Sequence, residues 1–482
     1  MALLDIIVIG GGFSAASFTL HLLDLAAQQG VQPGTFRLRL IEPRLTLGAG
    51  IAYSARDPNH RINVAATRMN WSGDGSDDFD RWTRETGAVA EDPAMVWQDG
   101  SLYPARAVFG HYMHTRLMEL TASSPQIAFE HVRQRAEAVA AFEDRYRVRL
   151  ADGSSLEADL VVLATGHPPP NLPRGLEVLA GSDRFIADPW RPGAVADVQA
   201  DDRVLLVGTG LTMGDMVASL RTQGCGGQMM ALSRRGLIPR PRASTVEAFG
   251  DCDFSHFARV SQSLKAMRSE IRKARGESRP WSDVLERIRQ QNMDIWAAWP
   301  QAERRRFLRH LKPYWDVHRF QAAPQIDSLV KAVCNSRHLT IEAGSIVGAR
   351  PHAKSIEVDI KPRGLPAERA KTHVFERVVN CTGASGAHIT RDDPIFASLA
   401  EQRLVRSDSL RIGLDLDSRS HPVSCEGKSV TGLFVIGPAA RGCLGEVTGA
   451  PELALQARRV AEWVLEAGTL KNGDQVRQKQ LS

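Results

Sequence analysis

The run Asp5-Ile6-Ile7-Val8-Ile9 is short, continuous and β-branched, the pattern of a strand buried on both faces of a parallel sheet. It passes directly into Gly10-Gly11-Gly12-Phe13-Ser14-Ala15. Ala16 to Gln29 then sets Ala and Leu at helical spacing, Gly30 to Gly34 turn around Pro33, and Phe36 to Glu42 alternates as a strand. The pattern predicts a β-α-β unit. It recurs at Arg203 to Val207, through Gly208-Thr209-Gly210, into the apolar helix Leu211 to Leu220. A QGCGGQ turn follows, and the strand Met229 to Leu232 closes on Ser233-Arg234-Arg235.

A second repeat lies behind each unit. Tyr146 to Leu150, a turn at Gly153 and a strand from Ala158 to Gly166 end in Ala164-Thr165-Gly166. Ser355 to Ile360 and Phe375 to Gly383 repeat this and end in Cys381-Thr382-Gly383. Ser182 to Asp201, rich in Pro, Gly, Asp and Ala, is the expected connection between domains. Gly432 to Gly437 is a further buried strand entering a Gly-rich loop, with a helix opening at Pro451 and a frayed tail KNGDQVRQKQLS. Helical, basic and Trp-containing segments (Met267 to Arg275, Trp281 to Trp299, Ala302 to Lys312) read as an insertion that closes over a ligand. The expected fold is α/β with two Rossmann-like dinucleotide-binding domains. The first is split into 1–195 and 373–482, around a second at 196–372 whose helical insertion covers about 250–335.

Composition narrows the function without naming it. With 482 residues, 43% hydrophobic and 24% charged, the chain is globular and large enough for two to three domains. A net charge of +5 is small for this length, which argues against a nucleic-acid partner and leaves an anionic small ligand open. The start lacks a basic segment before its apolar residues, and no apolar run approaches the roughly 18 residues of a spanning helix, so neither export nor a membrane is expected. The six cysteines form no CxxC pair, which removes zinc-ribbon and dithiol-redox readings and makes the cytoplasm the default compartment.

Gly10-x-Gly12-x-x-Ala15 supplies a tight turn, close approach to a pyrophosphate and tight packing of helix on strand, with phosphates at the helix N-terminus. Glu42, ending the next strand, is placed to accept from ribose hydroxyls, at a spacing lengthened by the turn at Gly30 to Gly34. In the second fingerprint Gly208-x-Gly210 is followed by Met213 at the third position and Gly214 one place later, so this helix is expected to sit slightly farther out. Ser233, Arg234 and Arg235 occupy the acidic position, and cations there suit the 2′-phosphate of NADPH. His111 and His114 lack a third ligand and read as ordinary histidines, and no metal is expected. The Trp residues at 281, 296, 299 and 315 read as core before they read as a stacking surface. Arg304-Arg305-Arg306 reads as a solvated face. Arg240 and Arg242 are better site candidates, lying in a loop at the carboxyl end of parallel strands.

The motifs GGGFSA, ATGH at Ala164 to His167, GTGLTMGD, LSRRGLIPR, LFVIGPA and TGAPEL resemble two-dinucleotide-domain flavoproteins, specifically the bacterial FAD/NAD(P)-binding family related to class B flavin monooxygenases. Gly48 to Tyr53, His60 to Ala66 and Pro313 to Arg319 match that family as well, and the resemblance spans nearly the whole chain. It implies FAD on the first unit and NADPH on the second. Gly10, Gly12, Phe13, Ser14 and Ala15 would then meet the FAD pyrophosphate, Glu42 its ribose, and Ala164, Thr165 and Gly166 the turn beside it. Asn63 and Met69 would lie near the flavin ring, Gly437 near the ribityl phosphate, and Thr448 and Gly449 would open a helix whose dipole points at the ring. Pro438 departs from the acidic residue that disulfide-reductase-like flavoproteins carry there. Gly208, Thr209, Gly210, Leu211 and Ser233 to Arg235 would hold NADPH.

The implied activity is oxygenation of a small polar, anionic substrate, urate-like or amino-acid-like, through a flavin C4a-hydroperoxide, with dioxygen as co-substrate. His60 and Asn63 are candidate donors to the reacting oxygen, and Tyr314, His318, Arg319 and Arg242 candidate substrate contacts. An NAD(P)H oxidoreductase passing electrons to a quinone or protein acceptor is the alternative, and a flavin-binding sensor ranks third. An oligomer stays open.

Overall fold

The computed structural model describes residues 3–168, 170–243, 247–384 and 386–480, with backbone alone for 469–480. The strands in chain order are β1 (Leu4–Ile9), β2 (Phe36–Ile41), β3 (Ile127–Val132), β4 (Ala136–Phe142), β5 (Arg145–Leu150), β6 (Ser155–Ala158), β7 (Leu160–Leu163) and β8 (Phe185–Ile186). They continue as β9 (Val204–Val207), β10 (Met229–Ser233), β11 (Leu339–Pro351), β12 (Ile356–Pro362), β13 (Lys371–Phe375), β14 (Arg377–Asn380) and β15 (Leu433–Val435).

The first sheet has five parallel strands in the order β15-β7-β1-β2-β3. Every residue of β1 and β7 is buried, as a strand covered on both faces requires. The helix Phe13–Gln28 is apolar on nearly all sides because it lies between this sheet and the helices Arg106–Ser123 and Ala450–Gln480. The last of these is helical in backbone through Gln480, where the tail was expected to fray, while Leu481 and Ser482 lie outside the described residues.

The second sheet has seven strands, β13-β12-β11-β10-β9-β14-β8. β10, β9, β14 and β8 run parallel to their neighbours, whereas β12 and β13 extend antiparallel from the long β11. This pairing shifts the expected boundaries. β14 pairs with β9 on one side and with β8 on the other, so the second sheet takes in residues before 196 and after 372.

The two halves repeat in more detail than the motifs show. In each, an antiparallel flap ends one residue before the strand that re-enters the parallel sheet, so the single strands expected over 158–166 and 375–383 are both broken. The breaking residues are Asp159 and Glu376. Asp159 Oδ2 accepts from the backbone N–H of Asp5 at 2.9 Å, and Glu376 Oε2 accepts from that of Arg203 at 2.7 Å. Their own N–H groups donate back to the carbonyls of Asp5 and Arg203, both at 2.9 Å. An acidic side chain thus pins each flap to the first strand of its own sheet.

The insertion comprises helices Val260–Gly276, Trp281–Gln290, Asn292–Ala298, Gln301–Arg306 and Lys312–Arg319, with a π-helical turn at Phe307–Leu311. It ends earlier than the expected 335. Helix Pro324–Asn335 buries Ile326 and Val330 in the second domain's core with Met213 and Met216. A Cβ on Gly214 would lie 2.8 Å from Ile326 Cγ2, so the glycine of the second fingerprint serves contact with this helix rather than with the strand. Trp296 and Trp299 fill a small core with Phe254, Val260 and Ile295. The Arg304 to Arg306 run does more than meet solvent: Arg304 donates to the carbonyls of Trp299 at 2.9 Å and Ala297 at 3.1 Å, and Arg305 to that of Ser409 at 3.2 Å.

Candidate functional site

Both glycine turns are built alike. Gly10 has φ 100°, and a Cβ on it would lie 2.4 Å from the carbonyl oxygen of Ala164. Gly208 has φ 116°, and a Cβ there would lie 2.4 Å from that of Cys381. The ATG and CTG turns therefore close on the two fingerprints, and only glycine fits beneath them. Gly12 and Gly210 then cap the helices Phe13–Gln28 and Leu211–Thr222 without any side-chain hydrogen bond, leaving the first-turn N–H groups for a ligand. Gly437, φ 88°, stands over Ser14, its added Cβ falling 3.2 Å from Ser14 Oγ. Ala15 is fully buried beneath this turn. A cradle of this shape, with free amides and no side chain in the way, fits the pyrophosphate of a bound FAD.

Glu42 is buried at the end of β2. Its Oε2 accepts from Gly11 N–H at 2.9 Å and its Oε1 from Arg44 Nε at 2.8 Å and Arg44 N–H at 3.1 Å. Burial opposes its ionisation, but the hydrogen bonds from Arg44 and Gly11 prevail and hold its pKa below the usual carboxylate value. A ribose contact there requires the half-exposed Arg44 side chain to give way.

In the second unit Thr209 Oγ1 lies 2.8 Å from Ser233 Oγ, which also accepts from Gly236 N–H at 3.0 Å. Arg234 is exposed. Arg235 donates through Nη1 to the Tyr314 hydroxyl at 3.2 Å, its guanidinium carbon 5.1 Å from the centre of the Tyr314 ring. Tyr314 thus faces Arg235, not the cavity.

A cavity of about 680 Å³ opens between the two units. Asn63 and Met69 line it from the first domain, Leu211 and Thr212 from the N-terminus of the second domain's helix, and Thr448 to Pro451 from the N-terminus of Ala450–Gln480. The insertion closes it with Ser282, Leu285, Glu286, His318 and Arg319, and Arg242 enters from the loop after β10. The motif residue His167 also lines it.

The charges along one wall form an unbroken chain of ion pairs. Glu446 Oε1 meets Arg319 Nε at 2.7 Å, and Arg319 Nη2 meets Glu452 Oε1 at 3.1 Å. Glu452 also accepts from Arg289, Arg289 pairs with Glu286 at 2.6 Å, and Glu286 with Arg68 at 2.6 Å. Three arginines therefore meet three carboxylates, and the chain is neutral. This corrects the expectation for Arg319, whose charge is spent on two glutamates and is not free for a substrate. Arg242 differs. It has neither hydrogen bond nor ion pair among the described residues, and burial, with the nearby Arg68 guanidinium, lowers its pKa to about 10, which still leaves it charged at neutral pH.

His60 is also corrected. It is buried outside the cavity, its Nε2 2.9 Å from Ser219 Oγ and its ring edge-on to Trp190 at 5.5 Å, and burial lowers its pKa. It joins the domains and does not line the cavity. Asn63 does face the cavity, but its Nδ2 donates to the Gln321 carbonyl at 3.1 Å. Arg106, Glu452 and Trp190 belong to the site or its walls without any local sequence signal, because their partners are distant in the chain, and Arg289, though it pairs locally with Glu286, joins the wall through the distant Glu452. His111 stands against Trp82 and His114 Nδ1 accepts from Leu47 N–H at 3.2 Å.

Residues 7–168 match a family model described as FAD-NAD(P)-binding. None of the curated proteins matches the chain. Among solved structures, it is similar to L-lysine 6-monooxygenase from Pseudomonas syringae (15% identity, TM-score 0.64, covering 96% of this chain and 99% of that one). It is similar also to ornithine N-hydroxylase from Kutzneria sp. 744, a structure with reduced FAD, NADP⁺ and L-ornithine (14%, TM-score 0.61, 97% and 100%). A bacillithiol disulfide reductase from Staphylococcus aureus is a more remote match (11%, TM-score 0.52, 97% and 99%). No helix among the described residues is long and apolar enough to cross a membrane. Residues 7–168 are thus an FAD-NAD(P)-binding domain by sequence as well as by shape, and the chain as a whole has the fold of the two-dinucleotide-domain flavoproteins.

Proposed function

We propose that the protein is an FAD- and NADPH-dependent monooxygenase that oxidises the nitrogen of a small, anionic, amino-acid-like substrate. The observation that carries this reading is Arg242, a guanidinium with neither hydrogen bond nor ion pair among the described residues, in a cavity reached by the N-termini of the helices Leu211–Thr222 and Ala450–Gln480. The ornithine and lysine enzymes of the same fold make oxygenation the leading activity, while the disulfide reductase shows that fold alone does not choose it. The cavity's described lining contains no cysteine, which disfavours a dithiol route.

The chemistry FAD supplies when bound is acceptance of a hydride from NADPH and activation of dioxygen. The protein's residues do the rest. Gly10, Gly12 and Ser14 hold the pyrophosphate, with Gly166 at the turn beside it and Gly437 over Ser14. Ser233, Arg234 and Arg235 select the phosphorylated nicotinamide cofactor. The helix that opens after Gly449 lines the cavity with its positive end, which would favour negative charge on a reduced flavin held there. Arg242 takes the substrate's carboxylate. The Thr448 hydroxyl, buried and without a hydrogen-bond partner among the described residues, has its proton free for a ligand acceptor. The insertion keeps water out.

The test is NADPH and oxygen consumption by FAD-loaded protein with L-aspartate, L-glutamate, L-ornithine, L-lysine and urate. Stimulation by an acidic amino acid, with a hydroxylamine product equal to the oxygen consumed, is the expected result. NADPH oxidation that responds only to quinones, with no oxygenated product, assigns the protein as a reductase instead.

A further inference from the structure

The loop after β10 has two functional ends. At one end Arg235 stands at the expected 2′-phosphate position, held against Tyr314 by a 3.2 Å hydrogen bond and by the ring face. At the other end Arg242 faces the substrate cavity. Between them lies Gly236-Leu237-Ile238-Pro239-Arg240-Pro241, in which Gly236, at a φ of 62°, is held by its N–H donating to Ser233 Oγ at 3.0 Å and two prolines fix φ and stiffen the chain. The segment is also stitched to the insertion. Arg240 N–H donates to the Val317 carbonyl at 2.8 Å, Ala322 N–H donates to the Arg240 carbonyl at 3.1 Å, and Pro241 pairs with Ala322 as in a parallel bridge. The helix it is stitched to, Lys312–Arg319, carries Tyr314 toward Arg235 and His318 and Arg319 into the cavity.

We propose that residues 233–242 form a stiff strap through which occupancy of the 2′-phosphate site tightens the helix Lys312–Arg319 and presents Arg242 to the substrate, with Tyr314 as the positioning residue that couples the two. This rests on the assignment of NADPH to the second unit. An anion at Arg234 and Arg235 fixes the Arg235 side chain, which fixes Tyr314 and, through the Arg240 hydrogen bonds, both the helix and the strap. Two ligands that share one ordered element bind cooperatively, because the first meets the ordering cost for both. NADH, lacking the phosphate, would fill the nucleotide site without engaging the strap.

The experiment uses the FAD-loaded full-length protein with adenosine 2′-phosphate and adenosine 5′-phosphate as probes, measuring affinity by calorimetry and backbone amide exchange by mass spectrometry. The 2′-phosphate is expected to bind more tightly and to slow exchange in the peptides that contain the Arg240 and Ala322 amides. Tyr314→Phe, which keeps the ring and removes the hydroxyl, is expected to weaken 2′-phosphate binding about fivefold. It should abolish the protection and leave 5′-phosphate binding unchanged. Tight 2′-phosphate binding without protection at those amides overturns the strap but leaves the NADPH assignment standing. Equal affinity for the two probes overturns that assignment, and the strap with it.

Discussion

Arg106 Nη2 lies 2.7 Å from Asp215 Oδ2 and so ties the first domain to the helix whose N-terminus faces the cavity. Asp215 is buried, and that burial pushes its carboxyl above the usual value despite the guanidinium beside it. Arg106→Ala leaves a buried carboxylate without its counter-charge and is expected to cost about 3 kcal/mol in urea unfolding. The Arg106→Gln, Asp215→Asn double variant, which restores a neutral hydrogen bond, is expected to recover part of that loss. Equal stability of the single variant and the parent would rule out a structural pair.

The two glycine turns should fail separately. Gly10→Ala places a Cβ 2.4 Å from the Ala164 carbonyl oxygen at a φ of 100°, and the variant is expected to purify without flavin. Gly208→Ala meets the Cys381 carbonyl in the same way, and is expected to retain flavin while losing NADPH affinity more than about tenfold. Flavin absorbance and NADP⁺ titration distinguish the two outcomes.

The ion-pair wall predicts an acid-sensitive docking of the insertion. Burial opposes ionisation of Glu286, yet hydrogen bonds from Arg289 and the charge of Arg68 carry its pKa down to about 2, from an ordinary 4.5. A depressed carboxyl contributes stability that is complete above pH 4.5 and is lost as the pH falls through 2. The parent is expected to lose stability more steeply across that interval than Glu286→Gln, which starts lower. Urea midpoints as a function of pH give both slopes, and parallel slopes would refute the assignment.

Arg242 and Arg319 should give opposite kinetic signatures. Arg242→Gln removes the unpaired cation and is expected to raise KM for an anionic substrate about tenfold or more with little change in kcat. Arg319→Gln leaves Glu446 and Glu452 with fewer partners, and is expected to lower thermal stability and coupling of NADPH use to product while KM changes less. Steady-state kinetics beside melting curves separate the two.

The parts of the fold built from local pattern were legible in the sequence. β1, the helix Phe13–Gln28, β9 and the helix Leu211–Thr222 follow from an apolar run, a glycine turn and Ala/Leu spacing, and the shared ATG and CTG endings correctly signalled that the halves match. What escaped depends on contacts between distant segments. Asp159 and Glu376 break their strands because each caps the start of a strand far back in the chain. Helix Pro324–Asn335 has the same periodicity as the insertion before it, and only its packing on Gly214 assigns it to the nucleotide domain. At the site, Arg242 was visible as a loop arginine after a parallel strand. The neutralisation of Arg319 was not, because its partners lie in a loop and a helix more than a hundred residues away.

The first sheet takes its outermost strand, β15, from the far side of the whole second domain, and the last carboxylates of the ion-pair wall, Glu446 and Glu452, come later still. During synthesis, then, the amino-terminal half leaves the ribosome with an unfinished sheet edge and a flavin cradle lacking Gly437. Arg319 meanwhile waits for both of its counter-charges, whereas Arg289, already beside Glu286, waits only for its second. A polypeptide truncated before β15 would lack both that edge of the first sheet and the glycine that stands over Ser14.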